Sequence, residues 1–192
     1  HGNMMITGNF KPILVLYLIV VFLPMLAFTQ KIIPMYDPMP IPPSNKNMLF
    51  YLQRTMDKNT VIYEVNYDEN GKINIKDPIK IYWIDYEEGG KISQLTNVQR
   101  KFAYGIKSKL VDKRRGIFKI IIVSYKNLDL YLMPGEDNRY IIRTKINGQE
   151  SVLKNILVYI TGGTYLKPDV KYFEITGNEI SNKKLIKERF QP

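Results

Sequence analysis

Asp85, Glu87 and Glu88, close behind the only tryptophan, Trp83, come nearest in this chain to a catalytic constellation. Glycoside hydrolysis uses two carboxyl groups about 5–10 Å apart, one with a raised pKa, beside a surface that holds a sugar ring. The same Glu87-Glu88-Gly89-Gly90 stretch also reads as an exposed turn. Other chemistries have less to work with. There is no cysteine, and the single histidine, His1, precedes an apolar run that reads as an export signal. The exported part then lacks the two residue types that carry most nucleophilic, acid–base and transition-metal chemistry near neutral pH. A Ser–Lys pair needs no histidine, but no serine sits in a recognisable elbow. Asp68, Glu69 and Asn70 are oxygen ligands in a row, yet Gly71 after them makes a plain Asn-Gly hairpin turn. No catalytic residue, metal or cofactor is therefore expected.

Binding residues are easier to nominate. Trp83 and Tyr86, with Tyr82 on the other face, form either an aromatic platform for a sugar or part of a core. Gln99, Arg100 and Tyr104 offer an amide, a cation and a phenol, suited to a carboxylate, phosphate or sugar. Alternatively, Gln99 and Tyr104 bond to sheet backbone and Arg100 is solvated. Arg54 ends a strand whose same-face neighbours, Phe50 and Leu52, are apolar. It either pairs with a buried carboxylate, Asp85 or Glu64, or holds an anion at the sheet edge.

The net charge is +10, and it is unevenly placed. Arg100, Lys101, Lys107, Lys109, Lys113, Arg114 and Arg115 face only Asp112. Lys183, Lys184, Lys187 and Arg189 form a second cluster around Glu188. Such density attracts polyanions. Outside the cytoplasm these are anionic lipids or acidic glycans rather than nucleic acid. The alternative is compositional: Lys, Ile, Asn and Tyr abound together, as an AT-rich genome produces.

The elements that must position these residues follow from patterning. Residues 1–29 read as a signal peptide: Lys11, the apolar run Ile13–Phe28, and Ala27 and Thr29 in A-x-A-like spacing, with cleavage expected before Gln30. The run is short of the ~20 residues that span a bilayer, and Pro24 interrupts it, so no membrane span is expected after cleavage. Residues 30–47 hold five prolines and read as a linker, or as a segment lying along the domain surface. Residues 48–177 alternate with period two and form the β-rich domain; 178–192 is a basic tail, a short helix or frayed chain. Turn signals every 8–12 residues predict an antiparallel β-sandwich or partly closed β-barrel of about eight strands. One packed α-helix is expected. Leu95, Val98, Phe102 and Ile106 form an apolar stripe, Thr96 with Gln99 a capping box, and Gly105 a C-cap.

Several of these segments resemble a bacterial family of exported proteins, domain of unknown function 4833. The matching pieces are Gln53-Arg54 with Asn59 to Tyr63, Pro78 with Tyr82-Trp83-Ile84 and Tyr86, Gln99 to Gly105, and the Ile146-Asn147-Gly148 turn. The likeness spans roughly Met48 to Gly177. It implies export and a single domain, and supplies no catalytic residues. The leading expectation is an exported, non-catalytic β-domain, periplasmic or at the cell surface, that binds a protein or an anionic envelope component. The alternatives are a barrel carrying a small apolar ligand, then a carboxylate-based hydrolase.

Overall fold

The period-two segments pair into one curled, open sheet. The computed structural model describes Tyr36, residues 38–164 and residues 167–192. The leader lies outside the described residues, as does the start of the linker. Eleven strands are present among the described residues: β1 (Met48–Arg54), β2 (Thr60–Val65), β3 (Ile79–Asp85), β4 (Lys91–Gln94), β5 (Ile106–Asp112), β6 (Ile117–Ile122), β7 (Tyr125–Pro134), β8 (Tyr140–Ile146), β9 (Gln149–Gly163), β10 (Pro168–Glu179) and β11 (Leu185–Phe190). One short helix, α1 (Asn97–Phe102), separates β4 from β5. The strands beyond the predicted eight are edge strands with weak apolar signal. β11 falls in the segment read as a tail and is neither helix nor frayed: it pairs with β10 from Phe173–Phe190 to Asn178–Leu185.

The sheet branches at β9. One edge of β9 pairs with β10 throughout. The other edge pairs first with β8, at residues 149–152, and then with β1, at residues 155–158. Two four-stranded arms therefore grow from one spine, β1-β2-β3-β4 and β8-β7-β6-β5. The β1–β9 pair is parallel, against the all-antiparallel expectation. These two strands are joined through most of the chain, so no hairpin dictates their direction. Thr55 extends this pairing beyond β1: its amide donates to the Val158 carbonyl (3.1 Å) and its hydroxyl to the Ile160 carbonyl (3.1 Å).

Both arms share one core. Phe50, Tyr63 and Trp83 from the first meet Phe118, Ile120, Leu130 and Ile142 from the second. The Phe50 and Tyr63 rings stack at 4.2 Å. Period-two alternation leaves one face of a strand wet, but in β2 Thr60 and Ile62 are buried as well. The reason is a second apolar cluster on the other face of β1–β3, made by Ile62, Tyr82 and Ile84 with Tyr51 and Tyr86 against them. The described part of the Pro-rich segment, Tyr36 and residues 38–47, runs along that face. The Tyr36 amide donates to the Thr55 carbonyl (2.8 Å), the Gln53 amide to the Pro40 carbonyl (2.6 Å) and the Asn45 amide to Glu64 (2.5 Å).

The helix starts where predicted and then departs from expectation. Thr96 caps it, accepting from the Gln99 amide (3.2 Å), while the Gln99 side chain accepts from the Thr96 amide (2.9 Å). It ends after six residues, with Ala103 rather than Gly105 as C-cap. The apolar stripe is not a packing face: Leu95 is buried, Val98 and Phe102 are 68% and 65% exposed, and Ile106 already belongs to β5. Two turns are too few to carry a stripe of four, and Leu95 precedes the first. Phe102→Ala is accordingly expected to change stability by no more than about 0.5 kcal/mol, as for an exposed side chain. Urea unfolding checks this; a loss of several kcal/mol would mean the ring is buried.

Candidate functional site

Four of the nominated residues come together at the end of β1. Arg54 leaves the last position of that strand, and its guanidinium carbon lies 5.7 Å from the Trp83 ring centroid and 5.3 Å from that of Tyr104. The two rings meet edge-to-face at 5.0 Å. The Trp83 indole N–H donates to the Gln99 side-chain oxygen (3.4 Å), which the capping box holds in place. Arg54 donates to Asp57 (2.5 Å), not to Asp85 or Glu64. Asp57 was missed in the sequence, although Asp57-Lys58-Asn59 just past a strand end is a turn signal. Asp57 is 3% exposed, and burial raises its carboxyl pKa above the ordinary range, opposed by the Arg54 charge and the Asn59 amide. The Tyr63 hydroxyl donates to the Tyr104 carbonyl (2.9 Å), and burial pushes the Tyr63 phenol far up. Cation, carboxylate, indole and amide thus answer one another, which makes the cluster a structural joint.

The remaining nominees lie elsewhere. Tyr86 sits with Tyr82 on the opposite face from Trp83, because an offset of three crosses a strand from one face to the other. Arg100 is exposed and donates to the Gln94 side chain (3.3 Å). Asp85 accepts from the amides of Glu87 and Glu88 (3.1 Å each) and so ties the β3–β4 turn, and Glu88 pairs with Lys91 (3.0 Å). That is the exposed turn read in the sequence. No group of three or more metal-ligating side chains occurs among the described residues.

Residues 50–189 match the model of a family described as Domain of unknown function, DUF4833. The chain belongs to that family. No curated protein and no solved structure matches it. The matched span includes every strand from β2 to β10 and all of the Arg54 cluster.

The two basic clusters of this DUF4833 domain differ in kind. On β11, Lys187 and Arg189 both reach Glu174 on β10 (3.2 and 2.7 Å), and Arg189 lies 4.5 Å from the Tyr172 ring centroid. Burial pushes Glu174 up, but its hydrogen bonds from Arg189 and Lys187 outweigh that and hold its carboxyl below the usual range. Lys183 pairs with Glu136 (3.5 Å), so three of the four cations of this cluster are answered within the fold. On β5 the situation is reversed. Among the described residues β5 ends the sheet path, with Ile106 and Leu110 packed on the core and Lys107 and Lys109 turned outward, followed by the turn residues Lys113, Arg114 and Arg115. Arg115 pairs with Asp112 (2.7 Å), whose carboxyl the Arg115 backbone and side-chain hydrogen bonds lower. Lys107, Lys109, Lys113 and Arg114 have no carboxylate within 4.0 Å among the described residues.

Proposed function

We propose that this DUF4833 chain is an exported, non-catalytic binding domain whose β5 edge and β5–β6 turn engage an anionic component of the cell envelope. The unanswered charge of Lys107, Lys109, Lys113 and Arg114 carries the reading. In the second basic cluster, by contrast, Lys183, Lys187 and Arg189 pair with Glu136 and Glu174. An open cleft of about 790 Å³ contains Arg115 and Arg143, and these pair with Asp112 and Glu150 (2.7 Å each). A free strand edge lined with lysines is also a device against strand-to-strand aggregation, so the test must be binding and not solubility.

Replacing Lys113, Arg114 and Arg115 together with Glu is expected to weaken binding to anionic envelope extracts and to heparin at least tenfold. The fold should persist, since all three are exposed turn residues. Binding should weaken as salt rises, because the Debye length is only about 8 Å at physiological ionic strength. Heparin-affinity elution of wild type and variant at two salt concentrations measures both effects. Equal elution would leave the lysines to composition.

The carrier alternative has less support. The interior is occupied by side chains such as Ile120, Leu130, Leu132, Ile142 and Leu153, each fully buried. An apolar ligand would have to displace them.

A further inference from the structure

The basic edge is continuous with an apolar surface. β4 and β5 are the two ends of the sheet path, and α1 joins them. From Gly89 to Val111 the chain carries Lys91, Arg100, Lys101, Lys107 and Lys109 and no carboxylate. The same stretch holds Ile92, Val98, Phe102 and Val111, half of the large apolar side chains exposed among the described residues. Val98 and Phe102 are four residues apart on α1 and so share one helix face. Lys101 places its ammonium 5.1 Å from the Phe102 ring centroid. The capping box, the Gln99–Trp83 hydrogen bond and buried Tyr104 hold this face outward.

A soluble polyanion or acidic glycan answers the lysines but offers nothing to Val98 and Phe102. A bilayer bearing anionic lipids answers both, with phosphates at the surface and hydrocarbon just below. We propose that α1 and the adjoining β5 edge dock on an anionic membrane surface. Val98 and Phe102 enter the boundary between headgroups and acyl chains, while Arg100, Lys101, Lys107 and Lys109 meet lipid phosphates, their stems lying along the apolar layer. The inference rests on the reading of β5 as an anion-binding edge and names the partner.

The chain has no cysteine, so one can be placed at will. Phe102→Cys in the full chain, carrying a nitrobenzoxadiazole label, reports the environment at that position. Ile75→Cys, 59% exposed and on the β2–β3 connection, is the control. The apolar run 13–28 is common to every variant, so the environment of the label decides and not the bound fraction. With vesicles of phosphatidylglycerol and phosphatidylcholine, emission at 102 should shift to the blue and rise severalfold, and at 75 stay unchanged. Pure phosphatidylcholine should give no change at either position. Adding Lys107→Glu and Lys109→Glu to the 102-labelled chain should abolish the response. A label at 102 that stays in water with anionic vesicles overturns membrane docking. If the chain also fails to bind heparin, the proposed function falls with it; if heparin still binds, only the lipid assignment does.

Discussion

Arg54→Met is expected to lower stability by about 3–5 kcal/mol, the range for stranding a buried charge by removing its partner. Asp57, 3% exposed, would lose the guanidinium that donates to it, and the Trp83 and Tyr104 rings would lose the cation beside them. The variant should also carry a pH signature. Burial already raises the Asp57 pKa above the ordinary value of 3.8, and Arg54 opposes that rise. Without Arg54 the folded-state pKa climbs further above the unfolded one, so the folded state binds the extra proton. Stability lost at neutral pH is then partly recovered as pH falls through the folded-state value. Asp57→Asn on the Arg54→Met background should recover part of the loss at neutral pH. Urea titrations from pH 7 downward measure both. A deficit that is constant with pH and untouched by Asp57→Asn would mean that Arg54 acts through packing alone.

The strand content was legible because Val61, Tyr63 and Val65 alternate with Thr60, Ile62, Glu64 and Asn66, and because Asn147-Gly148, both at positive φ, announces the β8–β9 hairpin. The capping box at Thr96 and Gln99 was legible for the same reason: it is a local signal with a fixed spacing. What failed was long-range. Nothing local states that β1 pairs in parallel with β9, or that Ile62 has a cover on its second face. Leu95, Val98, Phe102 and Ile106 have helical spacing, but tertiary packing of Tyr104 ends the helix before the stripe is used. Arg54, Trp83, and Gln99 with Tyr104 stood in three separate groups in the sequence, each with a ligand-binding and a structural reading. Their common purpose, partnering one another around Asp57, appears only once β1, β3 and α1 meet.

The step from Phe102 to Gly105 sharpens that point, and Gly105→Ala is expected to have the opposite outcome to Phe102→Ala. A Cβ at position 105 would stand 1.8 Å from the Arg100 carbonyl oxygen and 2.8 Å from its carbon. Both are backbone atoms, so no rotamer change relieves the clash; the chain between α1 and β5 has to move. That chain is a joint between the arms. The Tyr104 carbonyl accepts from Tyr63 of the first arm, and the Gly105 carbonyl accepts from Val123 in the β6–β7 turn of the second (3.0 Å). Overpacking typically costs about 1–3 kcal/mol, and displacement of backbone that both arms hold should place this variant at or above the top of that range. Trp83 is the only tryptophan and lies edge-on to Tyr104, so its fluorescence reports the displacement directly. The expected result is a shifted folded-state emission together with an unfolding midpoint well below that of Phe102→Ala. Wild-type emission and midpoint in Gly105→Ala would show that the connection yields freely. The helix would then be a loose cover over the sheet's open side, and the rigid presentation of Val98 and Phe102 would lose its support.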